Sequence, residues 1–202
     1  MFQKISSKVL NLPMTWRNTL ILALIAGAYT GLIAQAKFLA DTSISDIAVT
    51  YEWWVFFAMI IIVNQKRWWE AGLKTILFFL VSQTVVFLVE FPIVGEFYFA
   101  YWYRWMEIAL LTLPGGIFAW LSTKRHFAAD IVLSIPVALL CITGVMHTIV
   151  FLRKPPFHIL SFIFCFLQAI FWIFSIKEAA RDRILTSVFT VIFTVIGCVF
   201  LL

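Results

Sequence analysis

The chain is predicted to fold as an all-α, polytopic transmembrane helix bundle of seven spans, with its N-terminus cytoplasmic and its C-terminus outside. Three observations predict this. Of its 202 residues, 63% are hydrophobic and 12% charged, against about half and roughly a quarter in a soluble domain. The apolar residues gather into seven runs, each near the roughly 20 residues that cross a bilayer as a helix. Lysine and arginine collect at alternate ends of those runs, as a positive-inside bias requires. Residues 1–202 therefore read as a single transmembrane domain, with no length left over for a separate soluble one.

The first span, 19–37, follows Lys4, Lys8 and Arg17 and ends in Ala34-Gln35-Ala36, a pattern that imitates a secretory signal peptide. It is counted as a retained helix. Ala23, Gly27 and Gly31 recur every four residues on it, a small-residue face suited to close helix packing. The second span, 45–64, has a purely apolar run, Trp53–Val63, that is too short to cross alone. Counting back some 20 residues from Gln65 brings Tyr51 and Glu52 into the helix. The third, 70–90, leads through Phe91-Pro92 into a short cap containing Glu96 and Tyr98.

The fourth span, 101–121, contains Pro114-Gly115-Gly116, and the fifth, 127–149, contains Pro136, all near the bilayer centre. Proline removes a backbone donor and crowds the preceding turn, so these four residues are the predicted hinge or gate positions. Interrupted helices at mid-membrane often carry transporter sites. The sixth span, 157–176, follows the stiff turn Arg153-Lys154-Pro155-Pro156 and places Gln168 where it can meet the freed carbonyls. The seventh is 183–202.

Orientation follows from charge. The predicted cytoplasmic ends hold eleven basic residues and four acidic ones, whereas the outer ends hold four basic and six acidic. Three cytoplasmic turns begin with a lysine, Lys66, Lys124 and Lys177, which would suit three hairpin repeats after a lone first helix. The need for positive charge at every such turn would produce the same rhythm. Trp68 and Trp69 beside Lys66 and Arg67 read as interfacial anchors, or as a docking patch for a protein partner at the cytoplasmic face.

Charged groups inside spans are costly and mark candidate sites. At 1.5 Å of rise per residue, Glu52, Gln83 and Glu107 all lie roughly 9–10 Å below the outer surface. Above them come Glu90, Tyr98, Tyr101, Arg104 and His147. The expectation is an outward-facing pocket, acidic at its base and walled by Trp53, Trp54, Tyr101, Trp102 and Trp105. Carboxylates beside aromatic faces suit a small cationic solute. The alternative is that these groups merely decorate the interface, with Arg104 and Glu107 as an i,i+3 pair.

Glu52, Glu90, Glu107, His147 and His158 are metal-donor types, yet no two share ligand spacing on one helix. No metal and no cofactor are predicted. Cys141, Cys165 and Cys198 lack CxxC spacing and read as small core or lipid-facing residues. The scattered basic residues exclude a nucleic-acid partner. No HExxH, GxSxG or phosphate loop occurs, so an enzyme is not the first expectation. The predicted function is a transporter or solute-binding subunit of a bacterial cytoplasmic membrane, with lipid and a small solute as partners. Two other classes stay open: a non-catalytic assembly subunit, and a lipid-modifying intramembrane enzyme.

Overall fold

A computed structural model describes residues 12–40, 42–153 and 159–201 of the chain. Expectations resting on Lys4, Lys8, Asp41, Lys154, Pro155, Pro156 and His158 lie outside those residues. All elements among the described residues are helical. In order they are α1 (Trp16–Gln35), α2 (Ser43–Val49), α3 (Tyr51–Val63), α4 (Trp68–Val94), α5 (Phe99–Trp120), α6 (Phe127–Arg153), α7 (Ile159–Ile176) and α8 (Ala180–Leu201). Six of them, α1 and α4 to α8, are long and apolar enough to cross a membrane, and the bent pair α2 and α3 brings the count to seven where the two are taken as one span.

The bend corrects one expectation. Segment 45–64 is two helices meeting at 51°, with Thr50 in extended backbone between them. Thr50 ends α2 by turning both its N–H (3.0 Å) and its hydroxyl (2.6 Å) onto the Asp46 carbonyl. A side-chain bond of this kind competes with helix continuation. By contrast, α5 runs unbroken through Pro114-Gly115-Gly116 and α6 through Pro136. The predicted hinge residues are thus interior helix positions, and the segment 45–64 is interrupted at Thr50. Proline inside α4 is tolerated likewise: the helix passes Pro92 and closes at Gly95, whose φ of 84° lets its N–H reach the Phe91 carbonyl at 2.8 Å. Left-handed glycine is the usual way to satisfy a helix's last carbonyls.

The helices pack as two triplets. α4 lies along α1 and α5, while α6 lies along α7 and α8. α3 is the seam between them. Its residues Trp54 and Ile61 join Ala23 and Ala26 of α1 and Phe78 and Val86 of α4. Its other face sets Met59, Ile60 and Val63 against Leu133, Val137 and Leu140 of α6 and Trp172 and Ile176 of α7. With partners on two faces and Met59–Val63 buried throughout, α3 shows no amphipathic stripe in sequence. The sequential pairs α5/α6 and α7/α8 touch sparingly, so the three-hairpin rhythm is not a packing unit.

The small-residue face of α1 does what its spacing implies. Ala23, Gly27 and Gly31 are buried, and a Cβ on Gly31 would stand 2.9 Å from the Val86 carbonyl oxygen of α4. Gly72 and Gly116 play the same part between α4 and α5: a Cβ on Gly72 would meet the Leu113 carbonyl at 2.9 Å, and one on Gly116 the Thr75 hydroxyl at 3.0 Å. The Gly116 of the predicted hinge is therefore a close-packing residue.

Side-chain ties fix which helix ends lie together. At one end, Lys74 donates to the Met14 carbonyl (2.8 Å) and to Gln65 Oε1 (2.6 Å), and Trp120 Nε1 donates to the Gln65 carbonyl (3.1 Å). Arg125 pairs with Glu178 there. Lys177 donates to the Ser122 carbonyl at 3.1 Å and sits 2.7 Å from Asp130 Oδ1. This is the basic end. Lys74, Lys124 and Lys177 are buried in it: Lys74 and Lys177 donate to main-chain carbonyls there, and the Lys124 ammonium lies 3.7 Å from the Trp120 ring centre. At the opposite, acidic end the Thr30 hydroxyl donates to the Ala48 carbonyl (2.9 Å), and the Leu160 N–H to Ser43 Oγ (3.1 Å).

Candidate functional site

Two polar features sit toward the acidic end, and they are separate. The first is a cavity of about 270 Å³ lined by Thr30, Ala34, Val49, Trp54, Gln83, Val86, Phe87, Glu90, Tyr98, Tyr101 and Trp105. A second hollow, of about 380 Å³, adjoins it between α3 and α5 and shares Val49, Trp54, Gln83 and Trp105 with it. Its remaining lining is almost wholly apolar, with Val55, Ala58, Phe79, Ile108 and Ala109 among it. Gln83 is buried and stands where the two meet, so its amide is the polar group at the junction. Glu90, half-buried one to two turns further along α4, supplies the carboxylate.

Of the predicted pocket, Gln83, Glu90 and Tyr101 thus come together with Trp54, Tyr98 and Trp105. The others do not line this cavity. Trp53 turns to α1, with its ring 5.0 Å from that of Tyr29. Trp102 is half-buried, donates from Nε1 to the Thr84 hydroxyl at 3.3 Å, and has its ring tilted 58° to that of Phe97, 6.3 Å away. Arg104 and Glu107 are exposed on the outside of α5 and form no ion pair with each other. Depth along a helix is readable by counting; direction around α5 is not, because its apolar residues surround it.

Glu52 and His147 form the second feature. Glu52 is the second residue of α3 and fully buried, at a helix N-terminus where unpaired N–H groups favour negative charge. Its Oε1 lies 3.0 Å from His147 Nε2 of α6. On the other side of the ring, Nδ1 lies 3.8 Å from Asp46 Oδ2 of α2. Asp46 accepts a hydrogen bond from the Ser161 hydroxyl of α7 at 2.8 Å. Gln168 Nε2 donates to the Glu52 backbone carbonyl at 3.1 Å. Gln168 therefore does meet a main-chain carbonyl, as expected, but at the α2–α3 break and not beside a proline.

Cys165, one turn before Gln168 on α7, completes this cluster. It is fully buried, as its reading as a core residue implies, and its sulfur belongs with ligand atoms of Glu52 and His147 all within 4.8 Å of one another. No sequence signal finds this grouping. The three residues are far apart in the chain and come from three helices, so only the tertiary fold assembles them.

At the basic end, Trp68 and Trp69 are exposed, with the Arg67 guanidinium 5.6 Å from the Trp69 ring centre. Comparison of the chain with family models, with curated proteins and with solved structures finds no match. The functional reading accordingly rests on the geometry of the chain itself.

Proposed function

We propose that this chain is a small membrane transporter or solute-binding membrane subunit that takes a small cationic or amine-bearing solute into the cavity at its acidic end. The reading carries with it the orientation inferred from charge, basic end cytoplasmic and acidic end outside, in a bacterial cytoplasmic membrane. One observation carries it: the Glu90 carboxylate and the buried Gln83 amide face a cavity whose other walls include Trp54, Trp105, Tyr98 and Tyr101. An aromatic wall attracts a cation by about 0.5–2 kcal/mol according to how dry the site is. A carboxylate at the same wall adds charge neutralisation, and Glu90 has no ion-pair partner among the described residues to displace.

The test is a titration of the detergent-purified protein with tetramethylammonium, ethylamine and a neutral isostere, followed by tryptophan fluorescence from Trp54 and Trp105. The amines are expected to quench and the isostere not. Glu90→Gln is expected to weaken amine binding about tenfold, equivalent to about 1.4 kcal/mol, while Glu107→Gln leaves it unchanged because Glu107 lies outside the cavity. Equal binding of amines and isostere, or an unaltered titration in Glu90→Gln, overturns the reading.

A second reading, that of an assembly subunit, is favoured by the exposure of Arg104 and Glu107 on α5. Charged groups at such depth usually face a partner or water. Under it, Glu107→Leu changes the sedimentation of the detergent-extracted complex and leaves amine binding alone.

A further inference from the structure

We propose that Glu52, His147 and Cys165 form a binding site for a borderline-soft divalent metal ion of the zinc class. The inference is independent of the amine cavity, from whose lining all three residues are absent. Their donor atoms, a carboxylate oxygen, an imidazole nitrogen and a thiol sulfur, lie within 4.8 Å of one another, and all three residues are buried. Metal bonds of about 2.0–2.3 Å set neighbouring ligand atoms of a tetrahedral site roughly 3.3–3.8 Å apart. Small side-chain rotations bring these three to that spacing.

Two further observations point to a cation. Among the described residues, Glu52 Oε2 and Gln168 Oε1 are both buried without a hydrogen-bond partner. Orphaned buried acceptors are costly, and a metal ion satisfies several at once. The carboxylates of Glu52 and Asp46 also flank a single imidazole. The second observation is the arrangement behind the histidine. With Nε2 turned to the ion, Nδ1 faces Asp46, which is itself held by Ser161. A metal-bound histidine characteristically gives its other N–H to a carboxylate, which fixes tautomer and ring orientation.

The donor set selects the ion. One sulfur, one nitrogen and one carboxylate oxygen suit zinc or cobalt and not magnesium or calcium, which take oxygen ligands. Binding releases the Cys165 thiol proton, because the thiolate is the ligand. Entry is from the acidic end, where side-chain exposure falls from 21% at Asp46 to 10% at His147 and 0% at Glu52.

The experiment uses the full chain, purified in detergent, stripped with a chelator and titrated with Co²⁺ alone. A thiolate-to-cobalt charge-transfer band, with visible bands of tetrahedral intensity, is expected at one ion per chain and is abolished by excess Zn²⁺. Cys165→Ser is expected to remove the charge-transfer band, whereas Cys141→Ser and Cys198→Ser keep it. Glu52→Gln and His147→Gln are expected to weaken binding at least tenfold. Absence of the band in the wild-type chain overturns the site without reference to any variant, and so does a band that survives Cys165→Ser.

Discussion

Replacement of Lys177 by methionine is expected to destabilise the protein by about 3–5 kcal/mol, among the larger effects one side chain can have here. Lys177 is fully buried. Its ammonium lies 2.7 Å from Asp130 Oδ1, whose side chain is only 3% exposed, and it donates to the carbonyls of Ser122 (3.1 Å) and Lys124 (3.4 Å). Removing it strands a carboxylate in a dry setting and leaves carbonyls of the α5–α6 turn without a donor. The penalty of breaking such a pair is chiefly that of the charge left behind. Asp130→Asn alone is therefore expected to be harmful too, and Lys177→Met with Asp130→Leu to recover most of the loss. Thermal unfolding in detergent checks this, with the single variants lowered by on the order of ten degrees. A single variant as stable as wild type would show that the turn is held by other contacts.

Gly27→Leu is expected to be comparably severe, through packing instead of charge. A Cβ at Gly27 would stand 2.9 Å from the Val85 Cβ and 3.0 Å from the Ser82 Cα, and closer still to the Ser82 carbonyl. Two of those neighbours are α4 backbone, which no change of rotamer moves aside. Over-packing relieved by side-chain shifts costs about 1–3 kcal/mol, and here the helices themselves must separate. A cysteine pair engineered across α1 and α4 should cross-link in the wild-type background and fail in Gly27→Leu. Gly115→Leu is the control, because a Cβ there meets nothing within 4 Å, and its cross-linking and melting should match wild type.

These two cases show what sequence reading captures. The α1 face was legible because Ala23, Gly27 and Gly31 keep one spacing over two turns, and only close approach to another helix gives that spacing a use. The spans were legible because lipid imposes a length. Glu52 was drawn into a helix with Trp53–Val63 because that run falls short of the bilayer alone, and it is the second residue of α3. What the sequence withheld was direction. α3 is apolar on nearly every side, so nothing in its pattern says that Glu52 turns to α6 and α7 while Trp54 lines the cavity toward α4 and α5. Likewise no periodicity shows that Glu107 points outward and Gln83 inward.

The break at Thr50 went unread for a different reason. Proline and glycine announce helix rupture in water, but a chain in lipid must keep its backbone bonds and absorbs them. Thr50 announces nothing, yet its hydroxyl caps α2. The buried lysines were hidden because a cation at a cytoplasmic turn satisfies the positive-inside bias whichever way its side chain points, and only the fold reveals the carbonyls to which Lys74 and Lys177 donate.

The pairing of α1 with α4 has a consequence for biosynthesis. The glycine face of α1 emerges from the ribosome first, yet its partner is complete only at Val94, 59 residues after Gln35. At about 5–20 residues per second that is a wait of roughly 3–12 s. Throughout it, α1 enters the bilayer with its notch unfilled, and α2 and α3 arrive before the helix that should close on it. The second triplet has no such delay, since α6 meets α7 as soon as the next span is made. Maturation of the N-terminal half is therefore the step at which a chaperone, an insertase or a neighbouring chain has time to intervene.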